Sequence, residues 1–405
     1  MAGAILIFMM AVIPTAQAQT FTVLHEFTCG PDGCLPQAGL SMDRVGNYYG
    51  TASSGGASNL GTVYQLSHHN SSWIVTPLYN FKGGSDDGRN PWSRVIVGPD
   101  GALYGTTPYG GNSTCSGYYC GVVYSIAPPV TPCPVVSCQW PETVIHRFAP
   151  SPDGFYPGRG DIVFDQAGNI YGTTTGGGTD QNGVVYKLTR SNGSWTESIL
   201  YNFTGGSDGG GPFAGVTFDA AGNLYGTTLG GGAYGDGTVY QLKPAGSGWT
   251  ETTLHSFNPP QDGGYSVAGL INDSSGNFYG ATSEGGTGGG GTIYELTPSG
   301  GSWTYSVLHS IVNPNGQGGP GANLLWSNGN LYGTMSGWAD GNDPGSVFEL
   351  TQSNGSWNLV YLYHFTFGDD GGIPDSSLIM DSAGNLYGTA SLGDPDGGTI
   401  FQIMP

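Results

Sequence analysis

The sequence has few positive charges. Only 9 of its 405 residues are Lys or Arg, against 29 Asp and Glu, which gives a formal net charge of -20 at pH 7. Phosphate backbones and anionic lipid headgroups repel a chain of this charge. We therefore expect no nucleic-acid partner.

Long hydrophobic runs are also scarce. One apolar stretch, Ala2 to Ile13, is followed by the small residues Ala16 and Ala18, and it is shorter than the ~20 residues that span a bilayer. This pattern is typical of a secretory signal peptide over residues 1–18, with cleavage after Ala18. We predict no membrane span, and a single mature domain over residues 19–405 that is secreted to an extracellular or periplasmic location.

Sequence motifs for catalysis are missing as well. The chain carries neither an H-E-x-x-H motif nor a P-loop, so we do not expect the metalloprotease or nucleotide-hydrolysing chemistry that these motifs support. The two acids of a carbohydrate-active enzyme can come from distant positions. A lyase or glycoside hydrolase with acids at a channel mouth therefore stays open as an alternative function.

Cysteine is rare and occurs in pairs. All six residues form pairs with the spacing C-x4-C, and the C-x2-C spacing typical of zinc sites is absent. An even number of cysteines in an exported chain favours disulfides. We predict three local disulfides, formed by Cys29 and Cys34, Cys115 and Cys120, and Cys133 and Cys138.

The chain does contain a repeat. The tripeptide Y-G-T, once Y-G-A, recurs at intervals of 53 to 55 residues, except for one interval of 67 that holds four of the cysteines. The copies begin at Tyr49, Tyr104, Tyr171, Tyr225, Tyr279, Tyr332 and Tyr387. A period of this length is typical of repeat architectures such as propellers and solenoids.

Each repeat contains four short segments rich in β-branched and aromatic residues. In residues 157–203 they are GDIVFD, GNIYGTT, GVVYKL and WTESILYNF. Residues 21–27 resemble the fourth segment, and residues 398–403 resemble the third. Their pairing would complete a last sheet without a free edge. The sequence thus predicts an all-β fold: a seven-bladed β-propeller of four-stranded blades, closed by strand 21–27 pairing with strand 398–403.

The repeat resembles a known family. GNLYGTTLGG at 222–231, followed by GTVYQL at 237–242, is similar to the Gloeo/Verruco extracellular tandem repeat, or GloVer repeat. The resemblance covers essentially the whole mature chain. It implies a secreted protein, and it implies no particular activity.

A second motif, D-G-x-x-P in its full form, precedes the first strand of each blade. In a propeller this loop and the loop between the second and third strands emerge on one face, which we call the loop face. Its acids form a rim suited to ligands or to Ca²⁺, or they cap turns; recurrence in every blade favours the structural interpretation. The acids are Asp32, Asp87, Asp153, Asp208, Asp262 and Asp370.

The aromatic residues divide into repeated and unrepeated positions. His25, His146, His255 and His309 share a position with Tyr79, Tyr201 and Tyr363, and a site that accepts His or Tyr on an outer strand is interpreted as packing. Two tryptophans, Trp92 and Trp338, break the repeat and lie on the predicted loop face. We predict that these two contact a ligand.

The predicted function is binding or scaffolding. The loop face would engage an extracellular polysaccharide or protein. One alternative is the carbohydrate-active enzyme described above. The other is a structural subunit of an extracellular assembly, and the protein could form homo-oligomers.

Overall fold

A computed structural model describes residues 19–111, 115, 119–129, 139–312, 318–337, 343–393 and 397–404. These residues form seven four-stranded antiparallel sheets, the blades of a β-propeller. The predicted fold is thereby confirmed. The predicted signal peptide, residues 1–18, lies outside the described residues, and no helix within them is long and apolar enough to cross a membrane.

The strands of each blade are given from the channel outward. Blades 1 and 2 consist of Ser41–Met42, Tyr48–Ala52, Thr62–His69 and Ser72–Asn80, and of Ile96–Val97, Leu103–Thr107, Val122–Ile126 and Glu142–Arg147. Blades 3 and 4 consist of Val163–Phe164, Ile170–Thr174, Val184–Ser191 and Ser194–Asn202, and of Thr217–Phe218, Leu224–Thr227, Thr238–Ala245 and Gly248–Ser256.

The remaining blades follow the same order. Blades 5 and 6 consist of Ile271–Asn272, Phe278–Thr282, Gly289–Ser299 and Ser302–Val312, and of Leu325–Ser327, Asn330–Met335, Ser346–Ser353 and Ser356–His364. Blade 7 consists of Ile379–Met380, Leu386–Ala390, Thr399–Met404 and Thr20–Glu26. Short pairs join Gly88–Arg89 to Tyr109–Gly110 and Gly154–Phe155 to Gly176–Gly177, and one helical turn covers Pro259–Asp262.

The two ends of the chain close the ring. Thr20–Glu26 pairs antiparallel with Thr399–Met404, and the Phe27 amide donates to the Gly398 carbonyl at 2.9 Å. The Thr389 hydroxyl of blade 7 also donates to the Ala38 carbonyl of blade 1 at 2.9 Å. Both ends therefore belong to one blade, as predicted.

The repeated glycine of Y-G-T has a packing cause. A Cβ at Gly172 would lie 2.4 Å from the phenol oxygen of Tyr186, the fully buried aromatic residue of the facing strand. Neighbouring blades also pack against each other through shared apolar clusters. Tyr171 and Val185 of blade 3, for example, cluster with Leu224 and Tyr240 of blade 4. The aromatic repeat thus fills the spaces between blades.

Two of the three predicted disulfides are present, Cys29–Cys34 and Cys115–Cys120. Cys133 and Cys138 lie outside the described residues.

Candidate functional site

The aspartates of the D-G motif bond to their own loops. The Asp208 carboxylate accepts hydrogen bonds from the Tyr201 hydroxyl at 3.0 Å, the Thr204 amide at 2.8 Å and the Thr204 hydroxyl. The next residue, Gly209, has φ +91°, and a Cβ there would lie 2.3 Å from the Thr228 hydroxyl. The structure therefore favours the turn-capping interpretation of the motif.

Equivalent bonds occur in the other blades. Each reaches back to the end of the preceding outer strand or to the first loop residues after it. They join Asp32 to His25 and Thr28, Asp87 to Tyr79 and Lys82, Asp153 to Ala149, Asp262 to His255 and Asn258, and Asp370 to Tyr363 and Thr366.

Burial and these hydrogen bonds shift the pKa of the carboxylates in opposite directions. Burial disfavours the ionised form, but the bonds from Thr28 and His25 outweigh it and lower the pKa of Asp32, and the bonds from Thr204 and Tyr201 lower that of Asp208. At Asp87 burial prevails and raises the pKa. Because each acid is held at a different blade junction, the six do not converge on one Ca²⁺ ion.

Residues from all seven blades converge on a central channel. One section of it encloses about 30 Å³ between small residues such as Ala38 and Ala322 and two ion pairs. Arg94 Nη2 lies 2.7 Å from Asp161 Oδ2 and joins blades 2 and 3. Arg159 Nη1 lies 3.1 Å from Asp375 Oδ2 and joins blade 3 to blade 7 across the channel.

The channel widens on the loop face into a cavity of about 460 Å³, which we call the loop-face mouth. Trp92 and Glu284 both lie in its wall, and Trp338 lies outside the described residues. The wall combines apolar or aromatic groups with polar ones and includes Gln37, Trp92, Arg159, Phe213, Tyr265, Val267, Glu284 and Asp375.

Most of these residues were not predicted, although the sequence contains a signal for them. Gln37, Trp92, Phe213, Val267 and Asp375 occupy one repeat position, the residue after the motif proline or its substitute. The residue type at this position is different in each of those five blades, whereas the neighbouring positions keep similar residues. The variation marks the part of the ring where sevenfold symmetry is lost.

An aromatic series supports Trp92 from behind. Its ring packs edge-to-face on Tyr109 at 5.5 Å, and Tyr109 packs on Tyr156 at 5.7 Å. The Arg89 guanidinium lies 5.4 Å from the Tyr109 ring centre and 4.8 Å from that of Tyr119. These contacts fix the Trp92 ring at the mouth.

The opposite end of the channel is different. It opens into a cavity of about 690 Å³ lined mainly by the first strands, with Phe164, Phe218, Ile271 and Trp326. The Trp326 ring stacks on Tyr279 at 4.7 Å. Polar side chains, among them Arg94, Asp161 and Asn272, also line this end, which differs from the mouth in being built mainly from strands and not from loops.

Among the described residues, one group brings three or more potential metal ligands together. It consists of His146, Asp153 and Glu197, whose ligand atoms all lie within 4.8 Å of one another. Burial, followed by the charge of Asp153, raises the pKa of Glu197. From the sequence, His146 was predicted to be a packing residue and Asp153 part of the loop rim, and no role was predicted for Glu197.

Solved structures of other proteins share this fold at low sequence identity. An ulvan lyase, a polysaccharide lyase, aligns over 94% of both chains with 12% identity and a TM-score of 0.54. A putative 6-phosphogluconolactonase from Bacteroides uniformis aligns over 87% of this chain and 90% of its own with 12% identity and a TM-score of 0.52. PorZ, a surface component of the type IX secretion system of Porphyromonas gingivalis, aligns over 90% of this chain and 46% of its own, with 12% identity and a TM-score of 0.50.

The similarity to these solved structures shows the fold alone, and the family of the chain follows from its sequence. No curated protein is similar enough to this chain to count as a match. The family model of the Gloeobacter/Verrucomicrobia repeat matches residues 8–132, 116–305 and 218–405. Since these matches extend across the propeller, the chain belongs to the Gloeobacter/Verrucomicrobia repeat family.

Proposed function

We propose that this protein is an extracellular binding module that holds a segment of a neutral polysaccharide in the loop-face mouth. The observation that carries the proposal is the wall of that mouth, where aromatic rings alternate with polar groups in a concave surface of about 460 Å³. Sugar rings present apolar faces and hydroxyl edges, which such a wall complements. The disulfides Cys29–Cys34 and Cys115–Cys120 suit an oxidising, extracellular location.

Charge favours a neutral glycan over an acidic one. At the mouth Arg159 is already paired with Asp375, and Glu284 adds a further negative charge. The whole chain carries a formal net charge of -20, so a polymer of uronic acids approaches against repulsion. The motif aspartates hold the loops around the mouth in place, and the aspartates themselves need not contact the ligand.

The test is a glycan array followed by calorimetry on the best neutral ligand. Tyr265→Ala is the main variant, because the Tyr265 side chain is 49% exposed, and we expect the variant to fold as the wild type does. We expect about a 10-fold loss of affinity, equivalent to ~1.4 kcal/mol, and a similar loss for Trp92→Ala.

The matched control is Trp326→Ala, at the opposite end of the channel, which should bind as the wild type does. Equal losses at both ends, or an array without neutral ligands, would contradict the proposal. Because a polysaccharide lyase shares the fold, each ligand is also incubated with the protein and assayed for new reducing ends and unsaturated products; their appearance would favour the enzyme instead.

A further inference from the structure

Adjacent blades meet at seams that contain three equivalent positions. The first is the His or Tyr near the end of one outer strand, opposite the second residue of the third strand, as in the pairs of Val123 with His146 and Val185 with Tyr201. The second is the motif aspartate. The third lies on the outer strand of the next blade, opposite the last Leu or Ile of its third strand, as Glu197 lies opposite Leu188.

At two other seams, those of blades 6 and 7 and of blades 4 and 5, these positions satisfy one another. Tyr363 donates to Asp370 at 2.9 Å and stacks on Phe21 at 3.6 Å. His255 bonds to Asp262 at 2.9 Å and stacks on Tyr305 at 3.7 Å. In both, the third position supplies an aromatic ring.

The seam between blades 2 and 3 is different, because it combines His, Asp and Glu. His146 Nε2 lies 3.4 Å from Asp153 Oδ2 and 3.5 Å from Glu197 Oε1, both longer than an ordinary hydrogen bond. His146 Nε2 and Glu197 Oε1 are buried, and neither has a hydrogen-bond partner among the residues that the structure describes. Two buried polar atoms that face each other without a bond are costly.

These distances match the edges of a metal site. In tetrahedral zinc sites with ligand bonds of about 2.0–2.2 Å, neighbouring ligand atoms lie about 3.4 Å apart. The carboxylate of Asp153 is already oriented, because it accepts bonds from the Ala149 amide at 2.9 Å and the Gly154 amide at 2.7 Å. Outer contacts of this kind hold a ligand in place before the metal binds.

We propose that His146, Asp153 and Glu197 bind a zinc ion that joins the outer strands of blades 2 and 3. One imidazole nitrogen and two carboxylate oxygens are ligands that Zn²⁺ accepts. Ca²⁺ instead takes 6–8 oxygen ligands. Three protein ligands leave a fourth position for water or an external group.

The first test is metal content and affinity. The full chain is freed of metal, loaded with Zn²⁺, dialysed and analysed by mass spectrometry and by competition with a chromophoric chelator. We expect one equivalent per chain, a higher melting temperature with zinc than without it, and no such response to Ca²⁺.

A matched pair of variants assigns the site. Glu197→Gln should lower zinc affinity by at least about 100-fold, more than the loss of an outer contact. Glu251→Gln changes the same position at the next seam, where Tyr201 replaces His, and should bind zinc as the wild type does. Circular dichroism shows that both variants are folded.

A third variant tests whether the same three ligands can create a zinc site at the next seam. Tyr201→His places an imidazole beside Asp208 and Glu251, at a position that already accepts His in four blades. We expect a second equivalent of zinc. A wild type that retains no zinc, equal affinity of Glu197→Gln and wild type, or a Tyr201→His variant with a single equivalent would overturn the assignment.

Discussion

The loop rim and the channel wall contain aspartates of opposite kinds. In the rim, Asp208 belongs to a motif, and its carboxylate accepts hydrogen bonds from Tyr201 at the end of the preceding outer strand and from Thr204 of its own loop. In the channel wall, Asp161 and Asp375 belong to no motif, and each pairs with an arginine from another blade. Acids at repeated positions therefore maintain the fold, whereas acids at positions that differ between blades shape the candidate site.

The largest expected effect lies in the rim. Asp208→Ala removes three hydrogen bonds to a buried carboxylate, so we expect a loss of about 3 kcal/mol in the free energy of unfolding. Urea denaturation measures it, and Asp180→Ala, on an exposed loop, should change the free energy by less than about 0.5 kcal/mol. Glycan affinity of the folded fraction should stay unchanged. If Asp208→Ala loses affinity at full stability, the rim is a binding site and the comparison fails.

A smaller effect on stability is expected in the channel. Arg159→Ala leaves Asp375 unpaired across the channel, which should cost about 1 kcal/mol because the pair is only partly buried. Its glycan affinity should fall by about 10-fold, or ~1.4 kcal/mol. Arg190→Ala is the control, since its pair with Asp100 at 4.0 Å is exposed. Loss of stability without loss of affinity would show that the pair serves only the fold.

The smallest effect depends on pH. Burial, and then the charge of Asp208, raises the pKa of Glu251 to about 7. A raised pKa in the folded state gives stability that is complete below the unfolded value of about 4.3 and is lost as pH rises through the folded value. Glu251→Gln should therefore gain stability relative to the wild type between pH 5 and pH 8.

Unfolding midpoints in urea at both pH values measure this difference. Glu26→Gln, at an exposed position of the outer strand of blade 7, should show none. If Glu251→Gln and Glu26→Gln showed the same change in stability between the two pH values, Glu251 would be as accessible to water as Glu26 and the prediction would be wrong.

The fold could be predicted from sequence because each of its determinants is local and repeated. Y-G-T fixes the second strand, where Gly172 makes room for the Tyr186 ring. The two incomplete ends, 21–27 and 398–403, specify closure and blade number together. No long-range information was needed beyond the count of repeats.

The candidate sites could be predicted only in part. Trp92 was predicted to contact a ligand because it breaks the repeat, whereas Phe213 and Tyr265 resemble ordinary packing residues in the sequence, and only the closed ring shows that they line the same cavity as Trp92. His146 and Glu197 are far apart in sequence, and only the register of the outer strands brings them together. A repeat alignment reveals which positions vary, whereas the bulged pairing and the blade order decide which of them meet.

The shared last blade has a mechanical consequence. Because Thr20–Glu26 and Thr399–Met404 are hydrogen-bonded neighbours, a force applied to the two termini acts first on a single pair of strands. Every other blade is carried on one uninterrupted stretch of chain, so tension reaches it only after that pair has separated. Pairing of these two strands also closes a loop of nearly the whole polypeptide, so it carries the largest entropic cost of loop closure among the strand pairs of the described residues.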